Sequence, residues 1–238
     1  MKKSFFRPHP SALTLMACGG GMAGLALRYW VDASAAASNG LLPPFHIGWV
    51  GLWLLTAAMG VLLMLGVGTL RGPASAAKSF PASMPAAIGC IPMVIVCLRS
   101  MNAGILPMAL AILTAVAFLL VALCRLSGKQ PPFLCYVVIC VWLALELLSL
   151  YQAWSFRPGL HHYGFHLLAT IALTLTACHL AGFGAGKGRH RRLWFWGLAA
   201  GFLCLTCADD GFFYAAGAAW VLTNLSLVRR PQPPKQEA

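Results

Sequence analysis

Polar side chains recur at every fourth position in one apolar stretch of the sequence, namely His162, His166, Thr170 and Thr174. Residues four apart lie on one side of an α-helix, so a helix here would present imidazole and hydroxyl groups in a line. Three carboxylates are candidates to join this polar line: Glu146, Asp209 and Asp210. Such groups gathered inside a membrane can bind a cation or relay protons, and an ionisable residue there is a functional candidate by default.

Several interpretations of the polar line are open. The threonine hydroxyls could bond their own helix backbone, the histidines could lie in water, and Glu146 could pair with Arg99 or Arg157 for packing alone. The line could instead form a pathway for an ion or a solute. A third interpretation is a metal site in which His162 and His166 provide two ligands, although no spacing indicates the third ligand.

The nine cysteines admit one redox interpretation. Most of them lie in apolar runs, where a thiol behaves as a small hydrophobic group. Cys204 and Cys207 form a Cys-x-x-Cys pair near the end of an apolar run, and such a pair could exchange with a disulfide. No second pair that could pass the electrons on is evident, and no sequence motif predicts a cofactor.

The composition decides the class of protein that must position these residues. Of the 238 residues, 60% are hydrophobic and 9% are charged. A soluble domain has roughly 25% charged residues, and 22 charged side chains (17 basic and 5 acidic) cannot cover its surface. Disorder requires low hydrophobicity and is excluded as well. The sequence therefore predicts an integral membrane protein.

We predict an all-α fold, a polytopic bundle of about eight transmembrane helices forming one domain over residues 1–228, with a disordered cytoplasmic tail at 229–238. A crossing helix needs roughly 20 apolar residues. The candidate runs are 11–30, 48–70, 82–98, 104–124, 133–153, 162–184, 193–208 and 211–228. The last two are predicted as a hairpin that turns at Asp209-Asp210-Gly211, because an unpaired carboxylate in lipid is costly.

The basic residues predict the orientation. With a cytoplasmic N-terminus, fourteen of the seventeen Lys and Arg residues fall on the cytoplasmic side, and only Arg28, Arg99 and Arg157 fall outside. This bias matches the positive-inside rule and places both termini in the cytoplasm. We therefore attribute the basic excess to topology and expect no nucleic-acid partner. One cytoplasmic loop is expected to contact anionic lipid headgroups through Lys187, Arg189, Arg191 and Arg192.

One resemblance can be stated on particular segments. These are Trp154-Ser155-Phe156-Arg157-Pro158-Gly159-Leu160 with Tyr163, Phe165, Leu167, Leu168 and Ala169, Asn39-Gly40-Leu41-Leu42-Pro43-Pro44, and Leu222-Thr223-Asn224-Leu225. They resemble a group of multi-spanning membrane proteins of clostridial bacteria, to which no activity is attached. The resemblance covers the first outer loop, at about residues 31–47, and most of the last hundred residues, and it implies a bacterial cytoplasmic membrane. This chain departs from the group at His161 and His162, where amide or acidic residues are expected.

Three classes of function follow. The favoured one is a small solute or ion transporter with its pathway along the polar line, which requires Glu146, His166 and Thr170 to face the bundle interior. The second is an accessory membrane protein without an activity of its own. The third is a metal-dependent membrane hydrolase that uses His162 and His166. Because no segment outside the membrane is long enough to bind ATP, transport would be ion-coupled or passive.

Overall fold

The computed structural model describes residues 10–37, 46–70, 75–76, 80–100, 105–154 and 160–229. The described chain is almost entirely helical, which confirms the predicted all-α class. The helices are α1 (Pro10–Ala37), α2 (Ile47–Gly68), α3 (Phe80–Arg99), α4 (Ile105–Leu126), α5 (Phe133–Trp154), α6 (Leu160–Gly184), α7 (His190–Thr206) and α8 (Phe212–Leu227). A 3-10 turn over Ala208–Asp210 joins α7 to α8. The predicted tail lies outside the described residues from position 230 onwards.

Five of the helices are long and apolar enough to cross a membrane. These candidate spans are Pro10–Ser34, Ile47–Gly68, Ile105–Leu126, Phe133–Ala153 and Tyr163–Gly184. They are consistent with an integral membrane protein. Of the remaining helices, α3 contributes a shorter apolar segment over Ser83–Arg99, and α7 and α8 have 17 and 16 residues, or about 25 Å each. Length and hydropathy together therefore support five spans and leave the predicted eight unconfirmed.

The break predicted at Asp209-Asp210-Gly211 is present, and the chain turns back on itself there. Leu225 lies against Gly197 and Leu222 against Gly201, so α7 and α8 pack antiparallel. The first two helices are also antiparallel, because Met59 lies against Gly20 and Leu13 against Gly66. Close approach at glycines is a common way for membrane helices to pack, since van der Waals contact replaces the hydrophobic effect there.

One face of α1 is buried against the rest of the bundle. Its buried positions repeat every three or four residues, as a single helical face requires, and are Leu13, Ala17, Gly21, Gly24, Arg28 and Val31. A Cβ atom built on Gly21 would lie 2.6 Å from Cβ of Leu205, and one on Gly24 would lie 2.5 Å from Oγ1 of Thr206. The backbones of α1 and α7 therefore approach closely, and Arg28 follows one turn later on the same face.

The two ends of the bundle differ in the charged residues that they carry. We call the end that contains the α1–α2 and α7–α8 connections the acidic end, because Asp32, Asp209 and Asp210 lie there. The opposite end, which contains the α4–α5 and α6–α7 connections, is the basic end. There the Arg125 Nη2 donates to the Tyr136 hydroxyl at 3.2 Å, and the Arg191 Nε donates to the Leu70 carbonyl at 2.8 Å.

A short antiparallel β pairing adds to the basic end. Ser75 and Ala76 pair with Arg229 and Val228, respectively, so the segment between α2 and α3 joins the residues that follow α8. Arg229, the first residue of the predicted tail, therefore belongs to this pairing. The pairing therefore joins two segments that are far apart in the sequence.

Candidate functional site

The acidic end contains a cluster of charged side chains from separate elements. Arg28 of α1 forms an ion pair with Asp210 of the α7–α8 turn, and its Nη1 lies 3.9 Å from Oδ1 of Asp209. Only 1% of the Arg28 side chain is exposed, whereas the Asp210 side chain is 34% exposed. The guanidinium group therefore lies inside the bundle, and the carboxylate that pairs with it reaches the surface.

His166 of α6 completes this cluster on the other side of Asp210. Its Nε2 lies 2.8 Å from Oδ2 of Asp210, which accepts the hydrogen bond. The His166 residue is 8% exposed, and the centroid of its ring lies 5.0 Å from that of Tyr214 in α8. Both Arg28 and His166 therefore contact one carboxylate, and three parts of the chain meet at Asp210.

Local sequence explains how these groups arrive together. Arg28 continues the buried face of α1 one turn after Gly24, which brings it level with the end of α7. The α7 helix ends at Thr206 and the next turn carries Asp209 and Asp210, so their carboxylates lie beside that guanidinium. His166 lies near the start of α6, on the face that Tyr214 covers.

The charges of the cluster nearly balance. Arg28 contributes one positive charge, while Asp209 and Asp210 contribute one negative charge each. The sum is minus one with a neutral His166 imidazole and zero with an imidazolium. A buried charge is tolerated when it is paired and hydrogen-bonded. The cluster can therefore hold one proton or one small cation without leaving a buried charge uncompensated.

The two threonines of the polar line bond to their own helix. The Thr170 hydroxyl donates to the His166 carbonyl at 2.9 Å, and the Thr174 hydroxyl donates to the Thr170 carbonyl at 2.8 Å. Thr170 is fully buried and also lies within hydrogen-bonding range of the Tyr214 side chain. Thr170 therefore packs beside the cluster, in contact with both His166 and Tyr214. Thr174, one turn further on, makes the local backbone contact expected of a transmembrane threonine.

The remaining candidate residues lie apart from this cluster or outside the described side chains. Glu146 is half-buried in a separate cleft between α4 and α5, next to Ser149 and Gln152. The side chain of His162 is outside the described part of the chain. Within the described residues, no three His, Cys, Asp or Glu side chains are gathered so that they could hold a metal ion.

The Cys-x-x-Cys pair is packed in the interior. Cys204 and Cys207 are both fully buried as free thiols. The Cys207 thiol is close to Arg28, so it forms part of the packing around the cluster. Thiol–disulfide exchange requires a thiol that a partner can reach. The geometry of this pair gives no support to such exchange.

Sequence reasoning missed Arg28, which belongs to the cluster, and Tyr214, whose ring contacts His166. One signal for Arg28 was available. It is the only basic residue within the α1 segment, and a cation within a membrane helix requires a partner. No protein-family model, curated protein or solved structure matches this chain.

Proposed function

We propose that this protein is a small cation permease of a bacterial cytoplasmic membrane, with the cluster of Arg28, His166, Asp209 and Asp210 as its proton- or cation-binding site. One observation carries the proposal: Asp210 is contacted by both the buried Arg28 guanidinium and the buried His166 imidazole. Ionisable groups are rarely buried among membrane helices unless they serve a substrate or ion pathway.

The proposed topology has eight crossings, with the acidic end outside. Helices that follow one another pack antiparallel wherever contacts reveal their direction. Examples are α4 with α5, through Arg125 and Tyr136, and α5 with α6, through Phe133 and Gly184. The positive-inside rule places the basic end in the cytoplasm. The bacterial membrane is inferred from the resemblance to clostridial multi-spanning proteins.

The loop between α6 and α7 fits this orientation. Its basic side chains are exposed at the basic end, namely those of Lys187, Arg189, Arg191 and Arg192. The inner leaflet of a bacterial membrane contains anionic lipids, which attract such a cluster. Contact with these headgroups would hold the basic end at the cytoplasmic surface.

The geometry supports the entry and binding of a cation from the outside, as follows. A proton or small cation reaches Asp210 from the outside, because this carboxylate is the exposed member of the ion pair. His166 lies deeper and shares the hydrogen bond with Asp210, so it can take the proton next. Arg28 fixes the position of Asp210 and, being already paired, offers no free positive charge to an anion. The net negative charge of the cluster favours cations.

Flux measurements in proteoliposomes test this proposal. Purified protein is reconstituted with the pH dye pyranine inside, and a potassium diffusion potential drives proton entry; uptake of ²²Na⁺ is followed in parallel. We expect flux of one of these cations above that of empty liposomes, and its loss in His166→Gln and Asp210→Asn. Asp32→Asn removes a carboxylate at the same end and should retain the flux.

Two results would overturn the proposal. One is that liposomes with and without protein conduct both cations equally. The other is a cation flux that persists unchanged in both His166→Gln and Asp210→Asn. The glutamine side chain at position 166 can still donate a hydrogen bond to Asp210 but cannot carry a proton at neutral pH, so it separates proton transfer from structural support.

A further inference from the structure

A second polar feature lies outside the cluster, in a cleft at the same end of the bundle. The cleft has a volume of about 470 Å³ and lies between the end of α3, the start of α4 and the second half of α5. Its walls are mostly apolar and include Leu110 and Trp142. The polar groups that line it are Ser100, Glu146, Ser149 and Gln152. A mostly apolar pocket of this size with a few polar groups is typical of a small-molecule site.

The Glu146 carboxylate is the charged group of this cleft. Within the described part of the chain it accepts no hydrogen bond and forms no ion pair. The Ser149 hydroxyl donates to the Glu146 backbone carbonyl at 2.9 Å, and the guanidinium of Arg99 stacks on the Phe212 ring at 5.4 Å from its centroid. A carboxylate in apolar surroundings is costly without a positive charge beside it. The cleft therefore has the charge of a cation site.

The aromatic wall of the cleft adds to this preference. Trp142 contributes its indole ring, and the negative face of an aromatic ring attracts a cation. The Trp142 ring packs edge-on against Phe213, with 6.1 Å between centroids. Phe213 in turn packs against Tyr214, which covers His166. An unbroken row of rings thus connects the cleft with the cluster at Asp210.

We propose that the Glu146 cleft binds a lipophilic monocation, a small molecule with one positive charge on an apolar body. The positive charge would lie against the Glu146 carboxylate, and the apolar body against Leu110 and the Trp142 ring. One carboxylate matches one positive charge, and the apolar walls exclude strongly hydrated ions. The assignment adds an organic cation to the proton or small cation of the proposed permease, and in that respect it rests on the proposed function.

Equilibrium binding in detergent tests the cleft without requiring transport. The probe is tritiated tetraphenylphosphonium, with tetraphenylborate as an anion of the same shape and opposite charge. We expect saturable binding of about one tetraphenylphosphonium per chain and none of tetraphenylborate. Glu146→Gln should weaken the affinity at least about tenfold, because it removes the charge and keeps the size. Asp32→Asn, which removes a different carboxylate at the acidic end, should bind as the wild type does.

A second variant separates loss of the site from loss of the fold. Leu106→Trp places a bulky ring at the mouth of the cleft and leaves Glu146 in place. We expect it to abolish tetraphenylphosphonium binding while the protein elutes from a sizing column as the wild type does. Unchanged binding in both Glu146→Gln and Leu106→Trp, or equal binding of the anion, would overturn the assignment.

Three further outcomes also decide the matter. An amine-headed lipid that copurifies at one per chain, and that tetraphenylphosphonium does not displace, would show that the cleft is a lipid site instead. Failure of the flux experiment alone would overturn the permease but leave the binding result standing. Failure of binding alone would remove this substrate class and leave the His166 and Asp210 variants as the test of the pathway.

Discussion

Arg28 and Asp210 form an ion pair whose two partners differ sharply in burial. The Arg28 side chain is 1% exposed and the Asp210 side chain 34%. Loss of the carboxylate would leave the guanidinium charge inside the bundle with the more distant Asp209 carboxylate, at 3.9 Å. Loss of the guanidinium would leave a carboxylate that water reaches. Loss of Asp210 should therefore destabilise the protein more than loss of Arg28.

The first prediction compares the two adjacent aspartates. Asp210→Asn should lower the free energy of unfolding by about 2 kcal/mol, because removal of one partner exposes the cost of the buried charge. Asp209→Asn should cost less than about 1 kcal/mol, since its contact with Arg28 is long and weak. The measurement is the thermal unfolding midpoint of both variants in the same detergent. Equal midpoints, or a lower midpoint for Asp209→Asn, would contradict the prediction that Asp210 contributes more to stability than Asp209.

Local patterns predicted the helices but not their partners. The break at Asp209-Asp210-Gly211 was predictable because a carboxylate pair and a glycine are unfavourable in the middle of a membrane helix. The gathering of His166 and Asp210 at one end followed from chain direction alone. Glu146 was expected to join them, yet it faces a different cleft. Chain direction gives the end of the bundle at which a residue lies, and it does not give the face.

Which helices touch depends on the shape of their faces. Membrane helices are apolar on every side, so periodicity does not distinguish the face that contacts lipid from the face that contacts protein. The contact between α1 and α7 depends on Gly21 and Gly24, and Arg28 reaches Asp210 only because this contact exists. The sequence displays the glycines and the arginine but not the helix that they meet.

The second prediction concerns the run Gly19-Gly20-Gly21 in α1. Gly21→Ala should destabilise the bundle by about 1–3 kcal/mol, because its new Cβ would lie 2.6 Å from Cβ of Leu205, which cannot move without its backbone. Gly19→Ala is the matched control, since nothing lies within 4 Å of the Cβ it would add. It should be neutral or more stable by up to about 1 kcal/mol, because alanine favours the helix.

Thermal unfolding midpoints in detergent also check this pair of substitutions. If Gly19→Ala were the more destabilising of the two, the face of α1 that contacts α7 would be wrongly identified. Loss of stability in Gly21→Ala should be accompanied by weaker flux, since the displacement of α1 from α7 moves Arg28 away from Asp210.

The third prediction concerns two thiols on neighbouring helices. The Sγ atoms of Cys140 in α5 and Cys178 in α6 lie 2.7 Å apart, and the Cys140 thiol also faces the Thr174 carbonyl at 3.6 Å. A variant that keeps only these two cysteines should react with dibromobimane to give one cross-linked, fluorescent product. Intact mass should show one bridging bimane per chain. Replacement of Cys178 by serine should abolish the fluorescence.

This cross-link reports the register of α5 against α6. Two separate adducts on Cys140 and Cys178, with no bridge, would show that the helices are rotated or shifted relative to each other. The pair was not predictable from the sequence, because each cysteine lies in an apolar run and has the appearance of ordinary packing.

The fourth prediction tests the eight crossings and their direction. Single cysteines are placed at Asp209, Lys129 or Lys187 in a chain without other cysteines, and whole cells are treated with a membrane-impermeant maleimide. Asp209→Cys should be labelled in intact cells, because the α7–α8 turn lies at the acidic end, which we place outside. Lys129→Cys and Lys187→Cys should be labelled only after lysis, as the positive-inside rule requires for the basic end.

The reverse labelling pattern would show that the orientation is the opposite of the one proposed. Labelling of position 209 and position 187 from the same side would mean that α7 does not cross the membrane. If that side is the cytoplasm, Asp210 has no access from outside and the proposed path to His166 fails.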